Sequence, residues 1–347
     1  MTVRVLDRVA ARRPLFDHDG RSGALLERGV LDDGTPVFVK TCAVESDVGQ
    51  LLTGDARREL RLWRDGVFDA LPGGVASAVI GIDDLGDRLV TVTRDLGTAV
   101  LSWDSILDGD DVRTIFRGIT SMHRAFAGTP PPALCPLETR ITVFAPARCN
   151  VIAAANPELA SAVLRGHELF ADLVPADVAD TVHRSYDNPA PLAAALTTDT
   201  PTTLIHGDFF LVNVAVEDGR VVPLDWGLAT AGPAALDLIT FCVGAMSNVT
   251  LDREHLLAEA RAACRDLVDD QAFAACQLWA LMELGWNKAL DAVDHPDRHK
   301  RAAERADLDF WVGRARRALD TAAMPTLVAG DDRDATPPPA ANKSHTV

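Results

Sequence analysis

The stretch LIHGDFFLVNVAVEDGRVVPLDWGLATAGPAALDLITF, residues 204–241, organises the chain. Two short apolar runs within it, Val214–Val216 and Val221–Leu224, flank Asp218-Gly219. An Asp-Gly pair between β-branched runs predicts a hairpin with a two-residue turn, because both turn positions need positive φ. Asp208 lies upstream of the hairpin, Asn213 enters its first strand and Asp225 leaves its second. A hairpin closed at 218–219 returns Asp225 to Asn213, so three oxygen-bearing side chains converge on one rim.

Carboxylate and amide oxygens of this kind suit a hard cation such as Mg²⁺. Phosphoryl transfer uses such a set: one carboxylate beside the attacking hydroxyl, and an Asn and an Asp on the metal that bridges the phosphates. The spacing agrees. His206-x-Asp208-x-x-x-x-Asn213 matches the H-x-D-x-x-x-x-N catalytic loop, and Asp225-Trp226-Gly227 stands where kinases carry D-F-G.

On these residues the chain resembles the aminoglycoside phosphotransferase / choline kinase family, the small-molecule branch of the protein-kinase-like fold. Gly207, in place of the Arg of H-R-D, points to that branch. So does Gly232-Pro233-Ala234-Ala235-Leu236-Asp237-Leu238, which is similar to G-D-P-x-x-D-L. Trp226 departs from the usual Phe, and Phe209-Phe210-Leu211-Val212 is more apolar than the usual loop. The resemblance implies a bilobal α+β fold with a β-rich N-lobe and a mostly helical C-lobe, binding ATP and Mg²⁺ between them. It implies that Asp208 orients the acceptor hydroxyl and that Asn213 and Asp225 hold the metal. His206 and Asp237 are expected as structural support. A carboxylate near a helix N-terminus, as Asp237 would be, is favoured by the exposed N–H groups there.

The chain of 347 residues is long enough for two lobes with real cores. Hydrophobic content of 48% with 24% charged residues fits a soluble globular enzyme. A net charge of −16 argues against a nucleic-acid partner and admits a cationic acceptor through long-range attraction. The six cysteines form no C-x-x-C pair and are expected as reduced core residues of a cytoplasmic protein. No apolar run is long enough to span a membrane, and the N-terminus lacks a signal-peptide core.

Residues 1–16 are ambiguous between helix and strand. Leu25–Val30 and Pro36–Lys40 are expected as strands around Asp33-Gly34. In the resembled family the first hairpin covers the ATP phosphates, which makes Ser22-Gly23-Ala24 the candidate loop, with Gly23 permitting close backbone approach. An ordinary surface turn is the alternative. Val37-Phe38-Val39-Lys40 resembles V-A-I-K, whose lysine pairs with the α/β-phosphates. Glu59, nineteen positions later in a helical pattern, is the expected partner of Lys40. Val75–Ile82 and Arg88–Thr93 are two further strands. Arg94 and Asp95 then fall where a hinge would meet adenine. This divides the chain into an N-lobe, 1–94, and a helical C-lobe, 95–322, followed by an aperiodic tail, 323–347, expected to be disordered.

Helices are expected at 111–127, 157–173, 177–186, 191–196, 253–268, 272–293 and 301–319. The helix over 272–293 is apolar nearly all round, which predicts burial. Glu283 and Asn287 lie one turn apart on it. A carboxylate in such surroundings needs a partner. One expectation is an acceptor-site carboxylate that binds an amine; the other is an internal pair with an arginine. The function expected from the whole is ATP-dependent phosphorylation of a small-molecule hydroxyl, on an aminoglycoside, another antibiotic or an amino sugar. The rival is a catalytically inactive kinase-like binding module.

Overall fold

The computed structural model describes residues 4–15 and 23–320. Ser22 and the segment 323–347 lie outside the described residues.

The N-terminal lobe is one antiparallel sheet. Its strands are β1 (Val9–Pro14), β2 (Leu25–Leu31), β3 (Pro36–Ala43), β4 (Val79–Asp84) and β5 (Arg88–Arg94), in the order β1-β2-β3-β5-β4. Between β3 and β4 the chain forms two short helices, α1 (Val48–Thr53) and α2 (Arg58–Arg64). Strand alternation sorts the side chains of β3. Val37 and Val39 point into a small core with Leu31, Val90 and Val92. Lys40 falls on the opposite face, with Leu26 and Thr91 as its cross-strand neighbours. A second apolar cluster, Leu60, Ile82 and Leu89, seats α2 against the sheet. The ambiguous N-terminus is a 3₁₀ turn, Val5–Arg8, followed by β1. The strand expected from Val75 begins instead at Val79, because Val75 bridges Val221 of the hairpin.

The C-terminal lobe is helical: α3 (Gly109–Ala125), α4 (Leu137–Ile141), α5 (Cys149–Ile152), α6 (Pro157–Leu173), α7 (Ala176–Asp187) and α8 (Ala190–Thr197) precede the central stretch. After it come α9 (Ala235–Ala245), α10 (Arg253–Cys264), α11 (Asp270–Asp294) and α12 (Arg298–Asp320). The all-round apolar pattern of α11 has the expected consequence: it packs against α6, α9 and α12 within the main core. Among the described residues no helix is long and apolar enough to cross a membrane.

Four short strands carry the central stretch: β6 (Thr203–Ile205), β7 (Val214–Glu217), β8 (Arg220–Pro223) and β9 (Thr230–Gly232). β7 and β8 form the hairpin, with Asp218 and Gly219 both at positive φ, as that turn requires. β6 pairs with β9, three residues each. The segment after β5 joins the hairpin's other edge through a Leu101 N–H bond to the Val214 carbonyl. Residues 74–76 join the β8 edge through bonds to Val221. The lobes are therefore stitched together by backbone pairing around the hairpin.

Candidate active site

The register of the hairpin sets the site. Val214 opposes Pro223, and the next pair outward is closed by the Leu224 N–H bonding the Asn213 carbonyl at 2.8 Å. Asp225 follows directly. It adopts φ 64°, ψ 76°, the left-handed region that non-glycine residues enter at a cost. Its carboxylate receives the Lys40 ammonium from β3 at 2.5 Å. Burial alone would raise the Asp225 carboxyl, but the charge and hydrogen bond of Lys40, with His206 and the Gly227 N–H, together hold it below the usual range.

Asp208 sits across from this pair, half-buried. The Asn213 amide nitrogen donates to Asp208 Oδ2 at 2.8 Å and to its carbonyl at 3.0 Å. Both contacts are to acceptors, so the Asn213 nitrogen must face Asp208 and its Oδ1 is left for another partner. Burial, helped by the charge of Asp225, pushes the Asp208 carboxyl up to about 7, against the opposing pull of Arg140.

The loop before Asp208 is fixed from behind. Asp237, in the first turn of α9, accepts the backbone N–H groups of His206 at 2.7 Å and Gly207 at 2.9 Å. Its Oδ2 also lies 3.0 Å from Nε2 of His123 on α3. Burial disfavours the Asp237 charge, yet these donors and the neighbouring histidines keep its pKa low. His206 is buried, with its ring edge-on to Trp226 at 4.8 Å. Gly207 is irreplaceable here: its φ is +81°, and a β-carbon would overlap the Leu228 carbonyl. The Gly of the H-G-D triplet thus has a steric cause, the close approach of the two loops that the β6–β9 pairing brings together.

Two expectations are corrected. Lys40 does not bond Glu59. Glu59 accepts from Thr91 Oγ1 at 3.1 Å, and burial raises its carboxyl above the ordinary range. Thr91 sits opposite Lys40 on β5, so Glu59 still borders the lysine electrostatically. The second concerns Glu283. It is buried on α11 and bonds Arg140 of α4 at 2.5 Å. Its carboxylate is engaged by that arginine, the second of the two expectations stated for it. Asn287, one turn further, is half-buried.

The remaining candidates sit at the edges. Gly23 has φ +76° with open space around its α-carbon. Arg94 pairs with Glu217 of the hairpin at 2.9 Å, and Asp95 lies 3.5 Å from Arg28. Their backbone N–H groups bond the Ala78 and Pro36 carbonyls, so neither N–H is open to a base.

Two buried arginines escaped the sequence reading. Arg140 donates Nε and Nη2 to the Gly207 carbonyl at 3.0 and 2.5 Å, and its guanidinium lies over the Trp279 ring. Burial opposes its charge, but the charge and hydrogen bond of Glu283, with the charge of Asp208, together raise its pKa. Arg58, next to Glu59, donates Nη1 to the Gly227 carbonyl. Neither shows a local pattern, since their partners lie 67 and 169 residues away.

The donor set fits a hard divalent cation: one ionised carboxylate at Asp225 and one free amide oxygen at Asn213. Two protein oxygens leave further positions for phosphate oxygens and water, as Mg²⁺ prefers. Among the described residues no group of three or more His, Cys, Asp or Glu stands ready to enclose an ion.

Solved structures similar to this chain include an aminoglycoside phosphotransferase from Alicyclobacillus acidocaldarius, 14% identical over 93% of this chain and 95% of its own, with a TM-score of 0.49. Spectinomycin phosphotransferase APH(9)-Ia, in complex with ADP and spectinomycin, is 12% identical over 89% and 93%, with a TM-score of 0.46. A choline/ethanolamine kinase family protein from Mesorhizobium loti is 16% identical over 92% and 91%, also at 0.46. No curated protein matches the chain. The model of the phosphotransferase enzyme family matches residues 67–279, more than half of the chain and all of the loop, hairpin and D-W-G turn; this protein belongs to that family.

Proposed function

We propose that the protein transfers the γ-phosphoryl group of ATP to a hydroxyl of a small molecule. The observation that carries this is the opposition of two differently tuned carboxylates. Asp225 is held ionised by Lys40, while Asp208, pushed up to about 7, is tied to Asn213. One carboxylate is set to meet a cation and the other to meet a proton.

Asp225 and Asn213 Oδ1 hold Mg²⁺ in this reading. An ion held there would supply neutralisation of the phosphate charge. Lys40, poised beside Asp225, orients the phosphates, and Glu59 supports the lysine from behind. Gly23 lies on the loop that closes over the phosphates. The base lies against the segment beyond Asp95, since the N–H groups of Arg94 and Asp95 are engaged. Asp208 Oδ1 accepts the hydrogen bond of the acceptor hydroxyl. As the new O–P bond forms, the bond from γ-phosphorus to the bridging oxygen breaks, ADP leaves, and the hydroxyl proton passes to Asp208. The transition state of such transfers is loose, so positioning dominates over base strength. Asp237 and His206 keep the Asp208 loop in place.

Residues 1–94 form the nucleotide-covering lobe and 95–322 the acceptor lobe. A cytoplasmic setting, rich in ATP and reducing, suits six free cysteines. The net charge of −16 favours a cationic acceptor, such as an aminoglycoside or amino sugar. The test is incubation with ATP and Mg²⁺ against a panel of aminoglycosides, macrolides, choline and amino sugars. A product heavier by one phosphoryl group is expected for at least one acceptor. Absence of turnover across the panel, with ATP bound, would favour an inactive binding module.

A further inference from the structure

Arg58 has no place in the chemistry above. It opens α2 beside Glu59 and is 1% exposed. A guanidinium buried to this degree is ordinarily matched by a carboxylate and a full set of acceptors. Here the match is poor. Asp55 Oδ2 lies 3.4 Å away and is shared with Arg61. Thr53 Oγ1 is 3.4 Å from both terminal nitrogens, at the limit of a hydrogen bond. Nε has no hydrogen-bond partner among the described residues. Burial depresses the Arg58 pKa, the mark of a cation whose lost hydration is not made good. Its one short bond runs from Nη1 to the Gly227 carbonyl, 169 residues further along the chain.

That carbonyl closes the turn that begins at Asp225. The turn is strained, since Asp225 is a non-glycine residue at φ 64°. Strained backbone persists only where its surroundings over-determine it. The Leu224 N–H bond to Asn213 fixes the entry to the turn. The Trp226 ring, packed against Phe68 and His206, fixes its middle. Arg58 fixes its exit. A residue kept buried with few partners, whose best bond is to the turn of a ligand-bearing carboxylate, answers to function more than to stability.

We propose that Arg58 is a positioning residue: it holds the Asp225-Trp226-Gly227 turn in its left-handed conformation and so aims the Asp225 carboxylate at a divalent cation. The proposal rests on the reading of Asp225 as a metal ligand. Arg58 touches neither nucleotide nor acceptor and acts through the turn alone. A strut for α2 is the opposing account, and the two differ in the sign of the stability change. Methionine has similar length and carries no charge to bury. Removing a poorly paired buried cation sheds its desolvation cost, and Asp55 keeps Arg61 as its partner, so no carboxylate is stranded and the fold stays as stable as before, or more so. Removing a strut weakens it.

The experiment uses the full chain as wild type, Arg58→Met and Arg58→Lys. Four quantities are read: the thermal midpoint without nucleotide, the Mn²⁺ dissociation constant by calorimetry with a non-hydrolysable ATP analogue present, and kcat and KM for an acceptor that the panel identifies. Arg58→Met is expected to keep or raise the midpoint, to weaken Mn²⁺ about tenfold, the scale of one lost charged hydrogen bond, and to lower kcat while leaving the acceptor KM unchanged. Arg58→Lys keeps a donor near the carbonyl and should fall between the two. A lowered midpoint with unaltered Mn²⁺ affinity overturns the proposal, as does an Arg58→Met chain that does not fold or one that matches wild type throughout. A wild-type chain that binds no Mn²⁺ overturns the metal-site reading itself; equal binding by wild type and Arg58→Met overturns the role of Arg58 alone.

Discussion

Lys40 and Asp225, 185 residues apart, form an ion pair between the two lobes, at 2.5 Å. Lys40 lies within β3, on the face away from Val37 and Val39, and Asp225 follows the hairpin. The lysine meets the carboxylate of the turn rather than that of α2, whose Glu59 is bonded to Thr91. The pair brings an ammonium and an ionised carboxylate to one point.

Asp225→Asn removes the anionic oxygen and keeps the shape. It is expected to raise the Mg²⁺ concentration needed for half-maximal nucleotide binding at least about tenfold, since a charged ligand becomes neutral and Lys40 loses its counter-charge. Nucleotide binding titrated against Mg²⁺ measures this. An unchanged requirement would remove Asp225 from the metal site.

Asp208→Asn keeps an oxygen for the Asn213 amide but cannot take a proton. Turnover should fall by about 10²–10⁴, the range for loss of a proton acceptor, with nucleotide affinity near that of wild type. Rate and nucleotide affinity measured on the same preparation separate the two effects. A rate within a few-fold of wild type would sink the assignment.

Gly207→Ala tests the contact between the two loops. The alanine must take a positive φ and its β-carbon must displace the Leu228 carbonyl. Strain of this kind costs about 1–3 kcal/mol, and the overlap adds to it. Chemical denaturation should show that loss. A variant as stable as wild type would mean that the loops part easily.

How much of this was legible in the sequence depends on range. The Asp218-Gly219 turn is local, so the hairpin and the return of Asp225 to Asn213 were legible. The long helices were legible from periodicity, with ends displaced by a few residues, as at Gly109 for Asp111. The β6–β9 pairing was not, because three-residue strands carry too few side chains to show alternation. Nor were Arg140 and Arg58 as clamps on glycine carbonyls. A backbone carbonyl leaves no mark in sequence, and an arginine on a short helix looks like any solvated one. The partner of Glu283 was beyond reach for the same reason, although its need for one was plain.

Glu283→Gln follows from that correction. The substitution leaves Arg140 an amide oxygen to donate to but removes its counter-charge, so a buried guanidinium is left without a carboxylate, beside the Gly207 carbonyl and the Trp279 face. Breaking a buried pair from one side costs about 3–5 kcal/mol. The variant should be less stable by that order, with no selective rise in acceptor KM. A selective rise at full stability would restore the acceptor-site role.

His167 gives the clearest dependence on pH. It is buried on α6, with Nε2 2.9 Å from the Phe144 carbonyl, and its ring lies against His183 and Tyr186. Burial comes first among the causes and lowers its pKa from 6.5 to about 4, against the pull of that carbonyl. The folded state therefore resists a proton that the unfolded chain accepts. For a group depressed in this way the stabilising contribution is present above the unfolded pKa near 6.5 and is lost as pH falls toward the folded value near 4. Between pH 7 and pH 5 the loss amounts to about 2 kcal/mol from this residue alone. His167→Gln keeps a donor for the Phe144 carbonyl and does not titrate. Urea denaturation of both proteins at pH 7 and pH 5 should show wild type losing about 2 kcal/mol more than the variant over that interval. Parallel losses in the two would mean that the imidazole is protonated, or reached by water, in the folded chain at pH 5.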